Sequence, residues 1–155
     1  MNTYLLIKTL HILSSVLMVG TGFGSAFYLF FANRSGNPQA QAVVASLVVR
    51  ADWWFTTPAV IAQPLTGWYL IHLAGWDMHA LWLQWAIFLY LLAGACWLPV
   101  VWLQIKMKAM AQVAIAQNQA FPDTYYRYAR YWEYLGYPAF LAMLAVYFLM
   151  VCKPT

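Results

Sequence analysis

Charged side chains are scarce in this sequence. Of its 155 residues only 8% are Asp, Glu, Lys or Arg, whereas 65% are hydrophobic and 19% are aromatic. A soluble domain usually carries about a quarter charged residues, so this chain has too few to cover a surface that faces water. The composition therefore excludes an ordinary soluble domain and predicts a membrane protein.

Cysteine and acidic residues are also few. The two cysteines, Cys96 and Cys152, show neither a Cys-x-x-Cys motif nor the spacing of metal ligands, and we interpret them as buried or lipid-facing thiols. Four acids stand against eight basic residues, which gives a net charge of +4. Anionic lipid headgroups account for such a surplus, so the charge does not predict a nucleic-acid partner.

Long apolar runs, in contrast, are abundant. Apolar stretches of about 18 residues or more predict membrane-spanning helices. The sequence contains four of them, at about 4–32, 53–74, 80–105 and 131–151. The prediction is an all-α fold, a single integral membrane four-helix bundle that occupies residues 1–155 and has the lipid bilayer as a partner.

The basic residues are distributed unevenly between the two sides of these predicted spans. Of the eight Lys and Arg residues, six lie in the connections between the first and second and between the third and fourth spans, namely Arg34, Arg50, Lys106, Lys108, Arg127 and Arg130. Only Lys8 and Lys153 lie on the other side. Because basic residues are retained on the cytoplasmic side, we predict a multi-pass protein of the bacterial inner (cytoplasmic) membrane with both termini in the periplasm.

Two segments interrupt the apolar pattern. Residues 33–52 open with turn residues and then predict a helix that continues into the second span. Residues 112–138 are polar and rich in tyrosine, and Pro122 predicts a break, after which the fourth helix begins at the sequence RYARYW. Four charged residues come to a similar depth at this side and are predicted to form an ion-pair cluster: Arg50, Asp52, Arg130 and Glu133.

Within the first apolar run, a histidine shares a helix face with small residues. Residues three or four apart lie on one face, and this face carries His11, Ser15, Met18, Gly22, Ser25 and Leu29. Small residues let membrane helices pack closely, which is one interpretation of Gly22. The other is a slot for a flat macrocycle whose iron is bound by His11, as a proximal histidine binds haem. Ionisable residues inside a membrane are functional candidates, so His11 is the first candidate ligand.

Other polar residues of the predicted outer half are candidates for the same site. His72 ends the second span and His79 begins the third, and they are either interfacial residues or, with His11, ligands of copper or zinc. Lys8 is one turn from His11, where it either snorkels to the interface or pairs with a haem propionate. Gln84 either donates to a ligand or makes an interhelical hydrogen bond.

Two prolines lie within the second span. Pro58 and Pro64 each remove a helix-internal hydrogen bond, and in lipid the freed carbonyl groups need other partners. Thr57, Gln63 and Thr66 are near enough in sequence to supply them.

The sequence resembles the HemJ-type membrane protoporphyrinogen oxidases, their copper-resistance D-like relatives and an uncharacterised group of predicted integral membrane proteins. The resemblance covers roughly the first 110 residues. It lies in YLLIKTLHI (4–12) with the glycine-bearing helix that follows, in FTTPAVIAQPLTGWYLI (55–71) and in ALWLQWAIFLYLLAGACWLPVVWLQIKMKAM (80–110). Its most specific elements are Lys8-x-x-His11 and Thr57-Pro58.

The resemblance implies that His11 binds a b-type haem or porphyrin. It also implies a lysine early in the third helix, and Gln84 occupies that position here. Glutamine lacks the charge of lysine, so the resemblance is closest to the uncharacterised group and favours haem binding over porphyrinogen oxidation. The leading hypothesis is a small haem b membrane protein with a redox or electron-transfer role at the outer half of the bilayer and a quinone or redox protein as partner.

Three other hypotheses remain open at this stage. One is a transporter of copper, another metal or a small molecule, for which His11, His72, His79 and Met18 are the candidate ligands. Another is a protoporphyrinogen oxidase-like enzyme, a haem-dependent oxidoreductase. The last is a structural or assembly subunit without a cofactor, and a homo-oligomer is compatible with each of them.

Overall fold

The computed structural model describes residues 2–154, and this part of the chain is helical apart from short connections. The helices are α1 (Thr3–Arg34), α2 (Pro38–Ala51), α3 (Thr57–Ala74), α4 (Leu81–Ala116) and α5 (Asp123–Cys152). No strand occurs within the described residues, which confirms the all-α prediction. Three of these helices, α1, α4 and α5, are long and apolar enough to cross a membrane.

Helices α2 and α3 follow each other without a break. The sequence predicted this, because the helix after the first span was expected to continue into the second span. They are joined by a π-helical segment at Asp52–Thr56, where the Thr57 N–H bonds to the carbonyl of Asp52, five residues earlier. Pro58, directly after this segment, has no N–H for the carbonyl four residues before it. The Asp52 side chain faces the interior and is only 3% exposed.

Helices α4 and α5 are longer than the predicted spans. Helix α4 continues to Ala116, beyond the predicted end at 105, and α5 begins at Asp123, directly after the predicted break at Pro122. The residues beyond Ile105 are mostly Ala, Met, Lys and Gln, which are strong helix formers in water as well. The predicted ends marked where the apolar run stops, and the helices continue past those ends.

Three pairs of helices make the main contacts of the fold. Helix α3 packs along α1, α5 along α4, and α2 against the second half of α4. Gly36 and Gly75, with φ of 68° and 65°, take the left-handed conformation that turns the chain after α1 and α3. We call the end of the molecule that carries the six basic residues of the two long connections the basic end, and the opposite end, with Lys8 and Lys153, the outer end.

The main hydrophobic core lies toward the basic end. It joins α1, α2, α4 and α5 through Leu29, Ala45, Val48, Val100, Leu103, Met107, Ala111, Ala114, Phe121, Tyr125, Ala129 and Trp132. Tyr125 is fully buried, and its hydroxyl lies 2.7 Å from Oδ1 of Asn33 near the end of α1. The packing at this end therefore fixes the start of α5 against the end of α1.

The predicted ion-pair cluster is wrong in its partners. Glu133 pairs with Arg34, whose two terminal nitrogens lie 2.8 and 3.1 Å from the carboxylate oxygens, and this pair joins α1 to α5. Arg50 and Arg130 are exposed. Residues two apart on a helix face different directions, so burial of Asp52 turns Arg50 outward and leaves the two without contact.

Candidate functional site

His11 lies against three residues of α3. Its Nδ1 lies 2.8 Å from the hydroxyl of Thr66, and its backbone carbonyl accepts a hydrogen bond of 2.8 Å from the Gln63 amide. A Cβ atom on Gly67 would lie 3.3 Å from Cε1 of the imidazole. Glycine at this position therefore lets the ring lie directly against α3.

The Thr66 hydroxyl is close to two carbonyl oxygens as well as to His11. The Thr66 hydroxyl lies 2.7 Å from the carbonyl of Ala62 and 3.2 Å from that of Gln63. A hydroxyl has one proton to donate; when that proton goes to one of these carbonyls, the Thr66 oxygen accepts from Nδ1–H of His11. In that tautomer the neutral imidazole keeps a lone pair on Nε2, which is the form in which histidine binds a metal.

The other predicted site residues do not hydrogen-bond to His11. His72 is exposed and its ring packs edge-on against Trp68 at 4.7 Å. Lys8 is exposed and lies over the ring of Tyr4 at 5.8 Å. Gln84 is exposed on α4.

No metal cluster accompanies the histidines. His79 is exposed in the turn before α4. Within residues 2–154, no group of three or more His, Cys, Asp or Glu side chains is placed to hold a metal ion. The three imidazoles that the sequence assigns to one side of the membrane therefore remain separate.

Gly22, the proposed slot residue, borders a cavity of about 440 Å³ among α1, α3, α4 and α5. Its lining is mainly apolar, and it also contains Gly94 and Gly136 from α4 and α5. His11 is not part of this lining. The nearest lining residue on its helix is Met18, seven residues further and thus about 10 Å away along the axis.

A polar network closes the cavity toward the basic end. Oδ1 of Asp52 accepts a hydrogen bond of 2.9 Å from Thr56. With the Gln104 amide oriented to match its neighbours, its nitrogen lies 2.6 Å from Oδ2 of Asp52 and its oxygen 3.2 Å from Nε1 of Trp132. We call Asp52, Thr56, Gln104 and Trp132 the polar floor; it connects the π-helical segment with α4 and α5.

A tyrosine completes the hydrogen bonding that Pro64 leaves open. Pro64 has no N–H for the carbonyl of Val60, four residues earlier. The hydroxyl of Tyr90 on α4 donates to that carbonyl at 2.7 Å. The freed carbonyl is therefore satisfied by a neighbouring helix, while Gln63 and Thr66, predicted for this role, contact His11.

Gln104 and Tyr90 were not predicted as site residues, and the partners predicted for Asp52 were wrong. The sequence does contain a signal for Gln104, because it is an uncharged polar residue inside a long apolar run. Its contact with Asp52 depends on the π-helical segment. No spacing in the sequence indicates that segment, so the contacts of the polar floor could not be predicted from the sequence.

Comparisons with known proteins give one match. No curated protein and no solved structure matches this chain. A family model described as "Predicted integral membrane protein (DUF2269)" matches residues 5–154, nearly the whole chain. This match supports the prediction of an integral membrane protein. It gives no support to membership of the HemJ-type oxidases or of the copper-resistance D-like proteins. The chain therefore belongs to the DUF2269 family of predicted integral membrane proteins.

Proposed function

We propose that this protein spans the bacterial inner membrane with α1, α3, α4 and α5 as a four-helix bundle, binds haem b through His11 and has a redox or electron-transfer role at the outer half of the bilayer. Three of these helices are membrane-capable by length and composition. Helix α3 is the proposed fourth span because it packs along α1. The positive-inside rule places the basic end in the cytoplasm and both termini in the periplasm.

The observation that carries the haem proposal is the contact between His11 and Thr66. The Thr66 hydroxyl lies 2.8 Å from Nδ1 of the imidazole, and when it accepts from Nδ1–H, Nε2 keeps its lone pair. Metal-binding histidines characteristically donate their other ring N–H to a fixed acceptor, which sets the tautomer and the ring orientation. In this tautomer His11 offers the donor atom of one axial haem ligand, although the cavity of about 440 Å³ does not border it.

The neighbouring residues have distinct roles in this proposal. Thr66 orients the imidazole, Gln63 holds the backbone of His11, and Lys8, one turn toward the outer end, supplies a cation for a propionate. Bound haem would supply a one-electron redox centre. Gly22 and Gln84 have less support as contacts, because Gly22 borders the separate cavity and Gln84 is exposed.

The alternative functions have less support from the same geometry. Copper transport through His11, His72 and His79 would be favoured by a cluster of ligands, and the described residues contain no group of three. Protoporphyrinogen oxidation would be favoured by a lysine at position 84, where this chain has an exposed glutamine.

Haem titration of the purified protein tests the proposal. Protein in nanodiscs is titrated with haemin while the Soret band is recorded, for the wild type, His11→Gly and the matched control His79→Ala. We expect saturable binding for the wild type and the control, no specific binding for His11→Gly, and partial recovery when imidazole is added to that variant. Binding of haem by His11→Gly with the affinity and spectrum of the wild type would reject His11 as the ligand.

A further inference from the structure

The cavity near the polar floor is bordered by glycines that do not serve helix packing. Small residues in membrane proteins usually allow two helices to approach closely. A Cβ atom added to Gly22, Gly94 or Gly136 would meet no atom within 4 Å outside its own helix backbone. These glycines therefore leave space, and the resulting volume of about 440 Å³ is in the usual range for small-molecule sites.

The shape of the cavity suits an elongated apolar molecule. On α1 its lining extends from Met18 to Phe31, which corresponds to about 20 Å along the helix axis. Phe23 and Phe140, both exposed, stack at 5.3 Å between α1 and α5 on this lining. The cavity therefore borders the surface that the bilayer would cover, and a molecule dissolved in the bilayer could enter it.

The electrostatics of the polar floor favour a positive head group. Asp52 is only 3% exposed, and its carboxylate contacts are the neutral Thr56 and Gln104. Within residues 2–154 the one ion pair is that between Arg34 and Glu133. The lining contains neither Lys nor Arg, and its second acid, Glu133, is the one paired with Arg34. A buried carboxylate without a cation is costly, so a ligand that supplies the cation removes this cost.

The hydrogen-bonding groups of the floor favour the same kind of ligand. Thr56 and Gln104 each occupy one acceptor position of the Asp52 carboxylate, whose oxygens can accept about four hydrogen bonds in total. Aromatic faces attract cations, and Trp132 lines this end of the cavity, whereas the Phe30 ring is already covered by the Arg34 guanidinium at 3.5 Å. The floor therefore offers acceptors and one aromatic ring to a head group that donates hydrogen bonds.

We propose that this cavity binds a single-chain cationic amphiphile, with its ammonium group at Asp52 and its hydrocarbon chain along α1 toward Met18. The site lies nearer the basic end than His11 does and is independent of haem binding. It assigns a ligand class to a cavity that the His11 proposal leaves unused.

Equilibrium binding to the protein in nanodiscs tests this site. Radiolabelled dodecylamine is the probe, dodecanol is the uncharged control of equal chain length, and empty nanodiscs give the background of partition into lipid. We expect Asp52→Asn to weaken dodecylamine binding by at least about tenfold, while Asp77→Asn, which changes an exposed acid of the outer turn, leaves binding unchanged.

A second pair of variants tests the cavity without altering the polar floor. Gly22→Leu places a side chain in the cavity and should abolish binding. Gly20→Leu is the matched control, because Gly20 is also free of contacts on α1 but does not line the cavity. Equal protein-dependent binding of dodecylamine and dodecanol, or unchanged binding in either Asp52→Asn or Gly22→Leu, would overturn the proposal.

Discussion

At the scale of single residues, the hydroxyl of Thr66 joins two helices at the proposed haem site. Its oxygen lies 2.7 Å from the Ala62 carbonyl of its own helix and 2.8 Å from Nδ1 of His11, so it links α3 to the imidazole of α1. Sequence analysis identified His11 and expected Thr66 to contribute hydrogen bonds near the prolines. It could not predict that the two residues meet, because they are 55 positions apart.

Replacement of Thr66 should therefore affect His11 even without haem. Thr66→Val keeps the shape of the side chain but removes the acceptor for Nδ1–H, and an unsatisfied buried donor costs about 1–3 kcal/mol. We expect a lower unfolding temperature for Thr66→Val in detergent, whereas Thr66→Ser, which keeps the hydroxyl, should remain near the wild type. Equal melting of all three proteins would contradict the Thr66–His11 hydrogen bond.

At the scale of helices, Pro64 in α3 and Tyr90 in α4 act as a pair. Pro64 leaves the Val60 carbonyl without its helical donor, and Tyr90 donates to it at 2.7 Å. We expect Tyr90→Phe to destabilise the wild type by about 1–3 kcal/mol, since it leaves a buried acceptor unpaired. In a Pro64→Ala background position 64 regains an N–H that can bond to the Val60 carbonyl. Tyr90→Phe should therefore lower the free energy of unfolding by less in that background.

A double-mutant cycle measures this coupling. The free energies of unfolding of the wild type, Pro64→Ala, Tyr90→Phe and the double variant are compared, and a coupling clearly above about 0.5 kcal/mol is expected for residues that share a partner. Additive effects would show that Tyr90 stabilises the protein by some other contact.

Helix type and approximate position followed from the sequence, whereas helix ends and polar partners did not. The apolar runs located α1, α4 and α5, the helices long and apolar enough to cross a membrane, because a span needs about 20 consecutive apolar residues; α3 coincides with the second, less apolar run. Helix α4 continues past Ile105 because its Ala-, Met- and Lys-rich end forms a helix without lipid contact and packs on α2. The partners of Asp52 depend on the π-helical segment, and no periodicity in the sequence predicts that segment.

At the scale of the whole molecule, the two ends differ in packing and in charge. The main hydrophobic core lies toward the basic end, whereas the His11 site lies toward the outer end. If basic residues set the orientation, the exposed Cys152 near the C-terminus is periplasmic. A membrane-impermeant maleimide should then label Cys152 in intact spheroplasts of a Cys96→Ala variant.

The opposite side supplies the control for this experiment. Ser35 is exposed in the turn between α1 and α2, and a Ser35→Cys variant that lacks the two native cysteines should be labelled only after lysis. Labelling of Ser35→Cys in intact spheroplasts, with protection of Cys152 until lysis, would reverse the orientation and place His11 on the cytoplasmic side.

The most direct test of the haem proposal is the visible absorption spectrum of the wild-type protein purified from haem-replete cells, together with its haem content per chain. The proposal predicts a Soret band that shifts on reduction, b-type haem released by acidified organic solvent, and close to one haem per chain. The same preparation of His11→Ala should lack the band or show it weakened and shifted. A colourless, folded wild-type protein, or a His11→Ala protein with the full unshifted band, would contradict haem ligation by His11.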